Sequence, residues 1–404
     1  MDGSFQASPA PITTLTNAEK ILSIVFARLQ TGSLEVTFPS GAKRTFTGTE
    51  QPDAGRCSMH IVKWSAISRI IKRGAIGLAE AFIEGEWITP DLTKLLNLLA
   101  VNMSALEQRS TAARLWQLFD KVGHFRNRNT RLGSRRNISF HYDLGNDFYQ
   151  LWLDPSMTYS AALFTDKDLA LEQAQRQKYT ALADELGLKK GDHVLEIGCG
   201  WGGFAEYAAG ELGCRVTGVT LSQEQLKYAE ARILRAGLAS LVDLQLCDYR
   251  DIEGQFDHIV SIEMLEAVGE SYWVTYFAKV KSALKPGGKA GIQVITIDDQ
   301  RFETYRHRVD FIQRYIFPGG MLPSDSVLRE KYTEAGLRLY HRRNFGLDYA
   351  KTLNHWHVNF EAATQKVLEL GFDQRFLRLW KYYLSYCEAG FRQRTIDVTH
   401  YVLG

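Results

Sequence analysis

The sequence contains few cysteines, and none are spaced as in a metal-binding or redox motif. Its 404 residues hold five, all far apart: Cys57, Cys199, Cys214, Cys247 and Cys387. This spacing excludes a CxxC zinc site and argues against a disulfide scaffold. Reduced thiols in a cytoplasmic protein are therefore expected, because disulfides persist mainly in oxidising compartments.

Long apolar runs and a strong charge imbalance are also missing. The nearest apolar run, residues 92–103, is broken by Lys94 and Asn97 and falls short of the roughly 18 residues of a membrane span. Residues 1–14 lack the charged start and apolar core of a signal peptide. The net charge is +2, so bulk charge does not indicate a nucleic acid partner.

The first third of the chain predicts a small α+β domain followed by a basic linker. Residues 1–15 are rich in Pro, Ser and Thr and are expected to be loose. A helix capped by Thr16 and an alternating strand then begin a domain over residues 16–108. Residues 109–140 predict a helix and an exposed loop. That loop carries five arginines and no acid: Arg126, Arg128, Arg131, Arg135 and Arg136.

From about residue 170, predicted strands alternate with predicted helices. The strand candidates are residues 193–198, 214–220, 242–248, 256–263 and 287–297. The helices between them are residues 203–212, 222–237 and 271–285. This alternation predicts an α/β fold with a doubly wound, mostly parallel sheet. The second domain is expected to span residues 141–404, with a mainly helical tail after residue 300.

The stretch VLEIGCGWGG, residues 194–203, places four glycines directly after the first strand of this series. Such a turn lets the backbone approach a ligand closely, and the GxGxxG pattern fits a phosphate site as well as a structural turn. Glu196 would repel a pyrophosphate, and Thr220 stands where a dinucleotide enzyme usually keeps an acid. We therefore predict S-adenosylmethionine, a cationic cofactor without phosphate, as the ligand at this turn.

This loop and the βαβ series after it resemble the first motif of the class I, Rossmann-like methyltransferases. By that resemblance, Asp248 and Tyr249, just past the third strand, fall where such enzymes hold the adenine. A surface turn at these two residues is the alternative.

Four further motifs narrow the resemblance: residues 141–164, 218–229, 262–273 and 314–324. Together they resemble the cyclopropane-fatty-acyl-phospholipid synthases and the mycolic-acid methyltransferases, over roughly residues 20–395. The resemblance implies methylation of an alkene carbon in an unsaturated acyl chain of a phospholipid. It also implies site residues for the cofactor: Tyr159 and Ser160 at its methionine end, Gly198 and Gly200 along it, and Thr220 and Gln225 at its ribose.

In that family a bound bicarbonate is thought to take the final proton, held by Cys, Glu, His and Tyr side chains. Glu266 and Tyr349 match this pattern and are the predicted catalytic residues. Ala161 and Ile295 replace the expected cysteine and histidine, and Ala267 replaces the histidine that usually follows the glutamate. Fewer groups would then hold bicarbonate, or another base acts. A cyclopropane, methylene or methyl-branched product is therefore left open.

Three residues close in sequence are alternative candidates for that base: Gln293, Asp298 and Asp299. A surface loop is the better expectation for the two aspartates. Aromatic residues make up 12% of the chain, and many lie in residues 312–320, 355–360 and 378–386. We expect them to pack in the core or along a lipid tunnel, where their faces could also stabilise a carbocation.

Rival functions were weighed against this one. A nucleic-acid methyltransferase could use the arginine loop, but no accessory RNA-binding motif accompanies it. A small-molecule methyltransferase would not explain the separate N-terminal domain. A non-catalytic paralogue that binds lipid or cofactor is the third alternative.

The expected partner is an unsaturated phospholipid, with no nucleic acid, at the inner face of the membrane. Peripheral binding through the arginine loop is expected there, and a homodimer is left open.

Overall fold

The computed structural model describes residues 14–106, 133, 144–166 and 168–404, with side chains described at all of these except 51–54. The chain divides into two compact units, Met1–Trp116 and Gln117–Gly404. The predicted arginine loop lies outside the described residues apart from Gly133. Within the described parts, no helix is both long enough and apolar enough to cross a bilayer.

The first unit is the predicted α+β arrangement of a small sheet with helices. Its elements are α1 (Asn17–Phe26), β1 (Thr31–Thr37), β2 (Lys43–Thr47), β3 (Gln51–Ile61), α2 (Trp64–Ile83), β4 (Trp87–Ile88), α3 (Leu92–Val101) and α4 (Met103–Leu106). The strand order is β2-β1-β3-β4, and β1 and β3 run parallel. Thr16 forms the predicted cap, a capping box with Glu19. Leu22 and Phe26 turn inward, whereas Ile21 is 49% exposed.

The second unit is built on a seven-stranded sheet. Its first elements are α5 (Asn146–Gln150), α6 (Leu171–Leu186), β5 (His193–Ile197), α7 (Gly203–Gly210), β6 (Arg215–Thr220), α8 (Gln223–Arg235), β7 (Val242–Leu246), β8 (Phe256–Ile262), α9 (Trp273–Ala283) and β9 (Leu284–Ile297). Strands β5 to β9 pair in parallel, in the order β9-β8-β5-β6-β7. All five predicted strands and the mostly parallel α/β fold are thereby confirmed.

Alternate residues of each central strand enter two different apolar layers. On β5, Leu195 packs with α9, while Val194 packs with α6 and α7. On β8, Ile259 belongs to the layer with α9, and Val260 belongs to the layer with α6 and α7. Burial on both faces explains the near-continuous apolar runs of these strands, as expected for a parallel sheet covered by helices.

The chain order reverses between β5 and β8. From β5 the chain continues outward to β6 and β7, then returns to β8 on the other side of β5. In open α/β sheets, ligands bind outside the carboxyl ends of the strands at such a switch point. The glycine-rich stretch directly follows the end of β5 at Ile197, so the fold places it at this position.

The tail after residue 300 contains the predicted helices and, in addition, two strands that the sequence analysis did not predict. Its elements are α10 (Asp299–Tyr305), α11 (Phe311–Tyr315), α12 (Asp325–Glu334), β10 (Leu339–Asn344), α13 (Gly346–Ala362), α14 (Thr364–Glu369), α15 (Gln374–Arg392) and β11 (Ile396–Leu403). β11 pairs antiparallel with β9, and β10 pairs antiparallel with β11. These strands extend the sheet beyond β9 and bring β11 residues beside the predicted site.

Candidate functional site

A cleft of about 950 Å³, counting its open mouth, lies at the carboxyl ends of β5, β6 and β8. Eight of the nine residues predicted to bind the cofactor line it: Tyr159, Ser160, Glu196, Gly198, Gly200, Thr220, Gln225 and Tyr249. Residues far apart in the sequence therefore meet in one cavity. The ninth predicted residue, Asp248, is not part of the lining among the described residues.

The glycine loop between β5 and α7 brings bare backbone to the cleft. Gly198 and Gly200 have φ of +85° and +52°, in the left-handed region that favours glycine. A Cβ atom on Gly198 would lie 2.9 Å from the Met264 Cγ atom, whereas one on Gly200 would meet no atom of the described residues within 4 Å. Because Gly200 lines the cleft, a side chain there would occupy ligand space rather than core.

Glu196 supplies a buried carboxylate to this cleft. Its side chain is only 3% exposed, and its Oε2 atom has no hydrogen-bond partner among the described residues. Burial raises the pKa of Glu196 well above its usual value, and the nearby cations Lys178 and Arg232 oppose this shift only in part. A buried acceptor without a partner is complemented by a ligand that brings positive charge or donors.

The predicted ribose residues pair with each other at the rim of the cleft. The Thr220 hydroxyl donates to Gln225 Oε1 over 3.1 Å. Asp248, predicted at the adenine, accepts a hydrogen bond from Arg250 Nε at 2.8 Å. It also caps the short 3-10 turn that starts at Tyr249. Asp248 thus holds the turn, and Tyr249 and Cys247 form that wall of the cleft.

Lys178 is a functional candidate that the sequence analysis missed. It is fully buried on α6, and its Nζ atom donates to the Ser160 hydroxyl over 2.7 Å. Burial lowers the pKa of Lys178 to about 8, against the pull of Glu263, Asp154 and Glu196. Position 178 falls on the apolar stripe of α6, so helical periodicity could have identified this buried cation.

Glu263 is the second missed residue, and it is held by three donors. Its Oε1 atom accepts from the Ala161 backbone N–H at 2.8 Å and from Gln293 Nε2 at 2.7 Å. Its Oε2 atom accepts from the Tyr349 hydroxyl at 2.7 Å. Its φ of +50° is unusual for a glutamate, as often found at functional positions. Burial raises the pKa of Glu263 despite these donors, which favour the ionised form.

Glu266, the predicted catalytic glutamate, lies in a different environment. Its Oε1 atom accepts from the Ile295 backbone N–H at 2.6 Å, while its Oε2 atom has no partner among the described residues. Burial and then repulsion from Glu263 raise the pKa of Glu266 to about 8, so it is mostly protonated at neutral pH. The Tyr349 hydroxyl donates its hydrogen bond to Glu263 and not to Glu266.

Two of the three positions where the sequence departs from the family pattern keep a role through their backbones. Ala161 and Ile295 lack the expected side chains, but their N–H groups donate to Glu263 and Glu266. Of the other candidates for the base, Gln293 is fully buried beside Glu263. Asp298 and Asp299 are exposed at the start of α10, as expected for surface aspartates.

Aromatic rings surround the predicted methionine end of the site. The Tyr159 ring lies 5.4 Å from that of Trp152 and 5.3 Å from that of Trp356, measured between centroids. The Tyr159 hydroxyl meets the Tyr383 hydroxyl at 2.6 Å. The neighbouring rings fix the position of Tyr159, which lines the cleft and whose ring face can stabilise a cation.

Comparison with known proteins gives a consistent result. Residues 129–401 match the family model of mycolic acid cyclopropane synthetase. The chain is 41% identical to the tuberculostearic acid methyltransferase UfaA1 of Mycobacterium tuberculosis, over 89% of this chain and 85% of that protein. It is 38% identical to the cyclopropane-fatty-acyl-phospholipid synthase of Escherichia coli K12, over 82% of this chain and 83% of that protein.

Solved structures show the same likeness. The cyclopropane synthase MmaA2 from Mycobacterium tuberculosis matches 67% of this chain and 97% of its own, with a TM-score of 0.63 and 29% identity. Mycolic acid cyclopropane synthase CmaA1, complexed with S-adenosylhomocysteine, matches with a TM-score of 0.64 and 29% identity, over 67% of this chain and 97% of its own.

Proposed function

Since this chain belongs to the mycolic acid cyclopropane synthetase family and is an S-adenosylmethionine-dependent lipid methyltransferase, we propose that it methylates the double bond of unsaturated acyl chains in phospholipids. S-adenosylmethionine supplies an electrophilic methyl group when bound. Three features of the cleft suit this cationic donor. They are the Glu196 oxygen that has no partner among the described residues, the open glycine loop, and the Ser160 hydroxyl, which accepts a hydrogen bond from Lys178. The name of the E. coli relative supports a phospholipid substrate.

The Glu263 carboxylate in the cleft is the observation that carries this proposal. A cis-alkene is a weak nucleophile, so it reacts only when held close to the methyl group. Its attack leaves a carbocation on the acyl chain, and a proton must then leave. Glu263 is an acceptor for that proton, since Tyr349, Gln293 and the Ala161 N–H favour its ionised form. Its negative charge also stabilises the cation.

Glu263 also accounts for the altered anion site. The resemblance implied a bicarbonate bound by Glu266, Tyr349 and two side chains that this sequence lacks. In this chain Tyr349 and the backbone of Ala161 donate to a carboxylate of the protein itself. We propose that Glu263 replaces the free anion as base, so that activity does not need added bicarbonate.

The geometry favours a cyclopropane as the product. A base that is permanently in place shortens the life of the cation, which favours direct loss of a proton from the new methyl group with ring closure. The second candidate is a methylene product, formed when a hydride shift precedes loss of that proton. The methylene product is favoured by the 41% identity of this chain to a tuberculostearic acid methyltransferase.

Product analysis with labelled donor tests this assignment. With a cis-monounsaturated phosphatidylethanolamine and a CD3-labelled donor, we expect a lipid that retains two of the three deuterium atoms. Ozonolysis then separates the two candidates, because it cleaves a methylene group and leaves a cyclopropane intact. A branched lipid that retains all three deuterium atoms would exclude proton loss from the methyl group. A protein that binds the donor but yields no methylated lipid would support the non-catalytic alternative.

Membrane binding is a separate prediction. We expect reversible binding to anionic vesicles through the arginine loop, each cation contributing about 1 kcal/mol at low salt. The first unit adds exposed apolar side chains, Ile21 at 49%, Ile24 at 60% and Trp64 at 48%. Vesicle flotation at increasing salt measures the effect. Binding that is equal on anionic and neutral vesicles would contradict it.

Two variants with equal charge change serve as test and control. In the first, all five loop arginines become glutamine, and flotation with anionic vesicles is expected to fall. In the second, five exposed cations of the second unit become glutamine: Lys190, Arg235, Lys281, Arg301 and Lys366. If the control loses as much binding as the test variant, only net charge matters and the loop has no special role.

A further inference from the structure

A line of buried polar side chains runs from Glu263 through Gln293 and His400 to Glu185 on α6. Gln293 on β9 and His400 on β11 are register partners, and both are fully buried. His400 Nε2 lies 3.0 Å from Gln293 Oε1, and His400 Nδ1 lies 3.1 Å from Glu185 Oε2 on α6. Buried polar groups need partners, so each contact constrains the next one along this line.

The orientation of the Gln293 amide follows from its neighbours. Its nitrogen lies 2.7 Å from Glu263 Oε1 and 3.4 Å from the Ala161 carbonyl oxygen. With the amide reversed, three oxygens would face one another. The nitrogen therefore points to Glu263, and the oxygen points to His400, whose Nε2 atom must carry a hydrogen.

The other side of His400 needs a second proton. Its Nδ1 atom faces a carboxylate oxygen of Glu185, so one proton must lie between them, on either atom. Glu185 also contacts two side chains of β10: its Oε1 atom lies 2.7 Å from Arg343 Nε and 3.5 Å from His341 Nε2. Lys178 of α6 repels the charged form of the His400 imidazole. Burial lowers the pKa of His400, and Glu185 offsets only part of that shift, so this pKa lies below that of an ordinary histidine. Burial alone would raise the pKa of Glu185, but its contacts with His400, Arg343 and His341 lower it below its usual value.

We propose that His400 and Glu185 are positioning residues for the base: by sharing one proton, they hold the Gln293 amide in the orientation that donates to Glu263. The inference rests on the proposed role of Glu263. Loss of the shared proton leaves a single hydrogen on the imidazole, which moves to Nδ1 to face the carboxylate. Nε2 then becomes an acceptor, the Gln293 amide reverses, and its oxygen repels the Glu263 carboxylate. The base is lost although no residue of the cleft has changed.

Two substitutions at one position separate positioning from simple packing. His400→Leu removes both nitrogens and is expected to lower kcat by about ten- to a hundredfold, with the KM for the methyl donor within about threefold. His400→Gln places an amide nitrogen near the former Nε2 and is expected to recover most of that rate. In the unchanged protein, kcat should fall as pH rises through the lowered pKa of His400, because the shared proton is then lost. Glutamine does not titrate, so this fall should be absent in His400→Gln.

A second measurement does not depend on catalysis. 15N NMR of the histidine-labelled full chain at a pH below the lowered pKa of His400, with His400 assigned by its absence in His400→Gln, is expected to show a protonated Nε2. A neutral ring with hydrogen only on Nδ1 would overturn the proposal. So would a folded His400→Leu protein that keeps the unaltered rate and pH profile, or a His400→Gln protein as slow as His400→Leu. If the spectrum is as expected but the unchanged protein methylates no lipid, the proposed function fails and the hydrogen-bond order stands.

Discussion

Replacing Glu263 by glutamine is expected to lower the turnover of lipid methylation by about two to four orders of magnitude, the usual contribution of a general base. Glutamine keeps the size of the side chain and can still accept from Tyr349, but it cannot take a proton. Affinity for S-adenosylmethionine should change by only a few fold, because the glycine loop and Glu196 are untouched. Single-turnover rates and calorimetric affinity separate the two effects.

Matched variants make this result specific. Glu253→Gln changes an exposed glutamate and should leave the rate as it was. Glu266→Gln should slow the reaction far less than Glu263→Gln, since Glu266 is already mostly protonated at neutral pH. Glu263→Gly removes the carboxylate and leaves space for a small anion, so added bicarbonate or formate should restore part of its rate. The reverse order, with Glu266→Gln inactive and Glu263→Gln unaffected, would assign the base to Glu266.

The same site predicts how the rate depends on pH. A base works only when ionised, so activity falls as pH drops through its folded-state pKa. Because burial raises the pKa of Glu263, this loss should begin at a higher pH than for an ordinary glutamate. In Glu263→Gln the residual rate should lack that acid limb.

Valine at Gly200 is expected to weaken S-adenosylmethionine binding by about a hundredfold or more, which corresponds to about 2.7 kcal/mol. The added side chain would extend into the cleft, where no atom from the described part of the chain lies within 4 Å of the Cβ position. The φ of +52° adds strain, since branched side chains rarely adopt the left-handed region. Calorimetry measures the affinity, and the rise in melting temperature on adding the donor should disappear with it.

Gly237→Val is the control for that strain. Gly237 has a φ of +71° and lies exposed after α8, away from the cleft. Within the segments that the structure describes, no atom lies within 4 Å of its Cβ position. Both variants should lose some stability, but only Gly200→Val should lose the donor. Unchanged affinity in a folded Gly200→Val protein would refute the placement of the donor along this loop.

Most of the second unit could be predicted from local patterns. Five apolar strands separated by amphipathic helices are sufficient for a doubly wound sheet, because a two-faced sheet requires helices on both sides. The glycine run and Glu196 then placed a cationic ligand at the end of β5. β11, residues 396–403, could not be predicted in the same way, since it is an isolated strand between a long helix and the chain end.

The sequence by itself determined the fold class, the family and the cofactor, because each depends on residues that lie close together in the chain. Only the tertiary structure decided which carboxylate acts as the partner of Tyr349. Tyr349 lies 86 residues from Glu263, and Gln293 lies 30 residues from it. No local pattern distinguishes Glu263 from Glu266, three residues later. Their environments differ because Gln293 of β9, Tyr349 of α13 and the backbone at Ala161 converge as donors on the first. Burial and its neighbour's charge keep the second protonated.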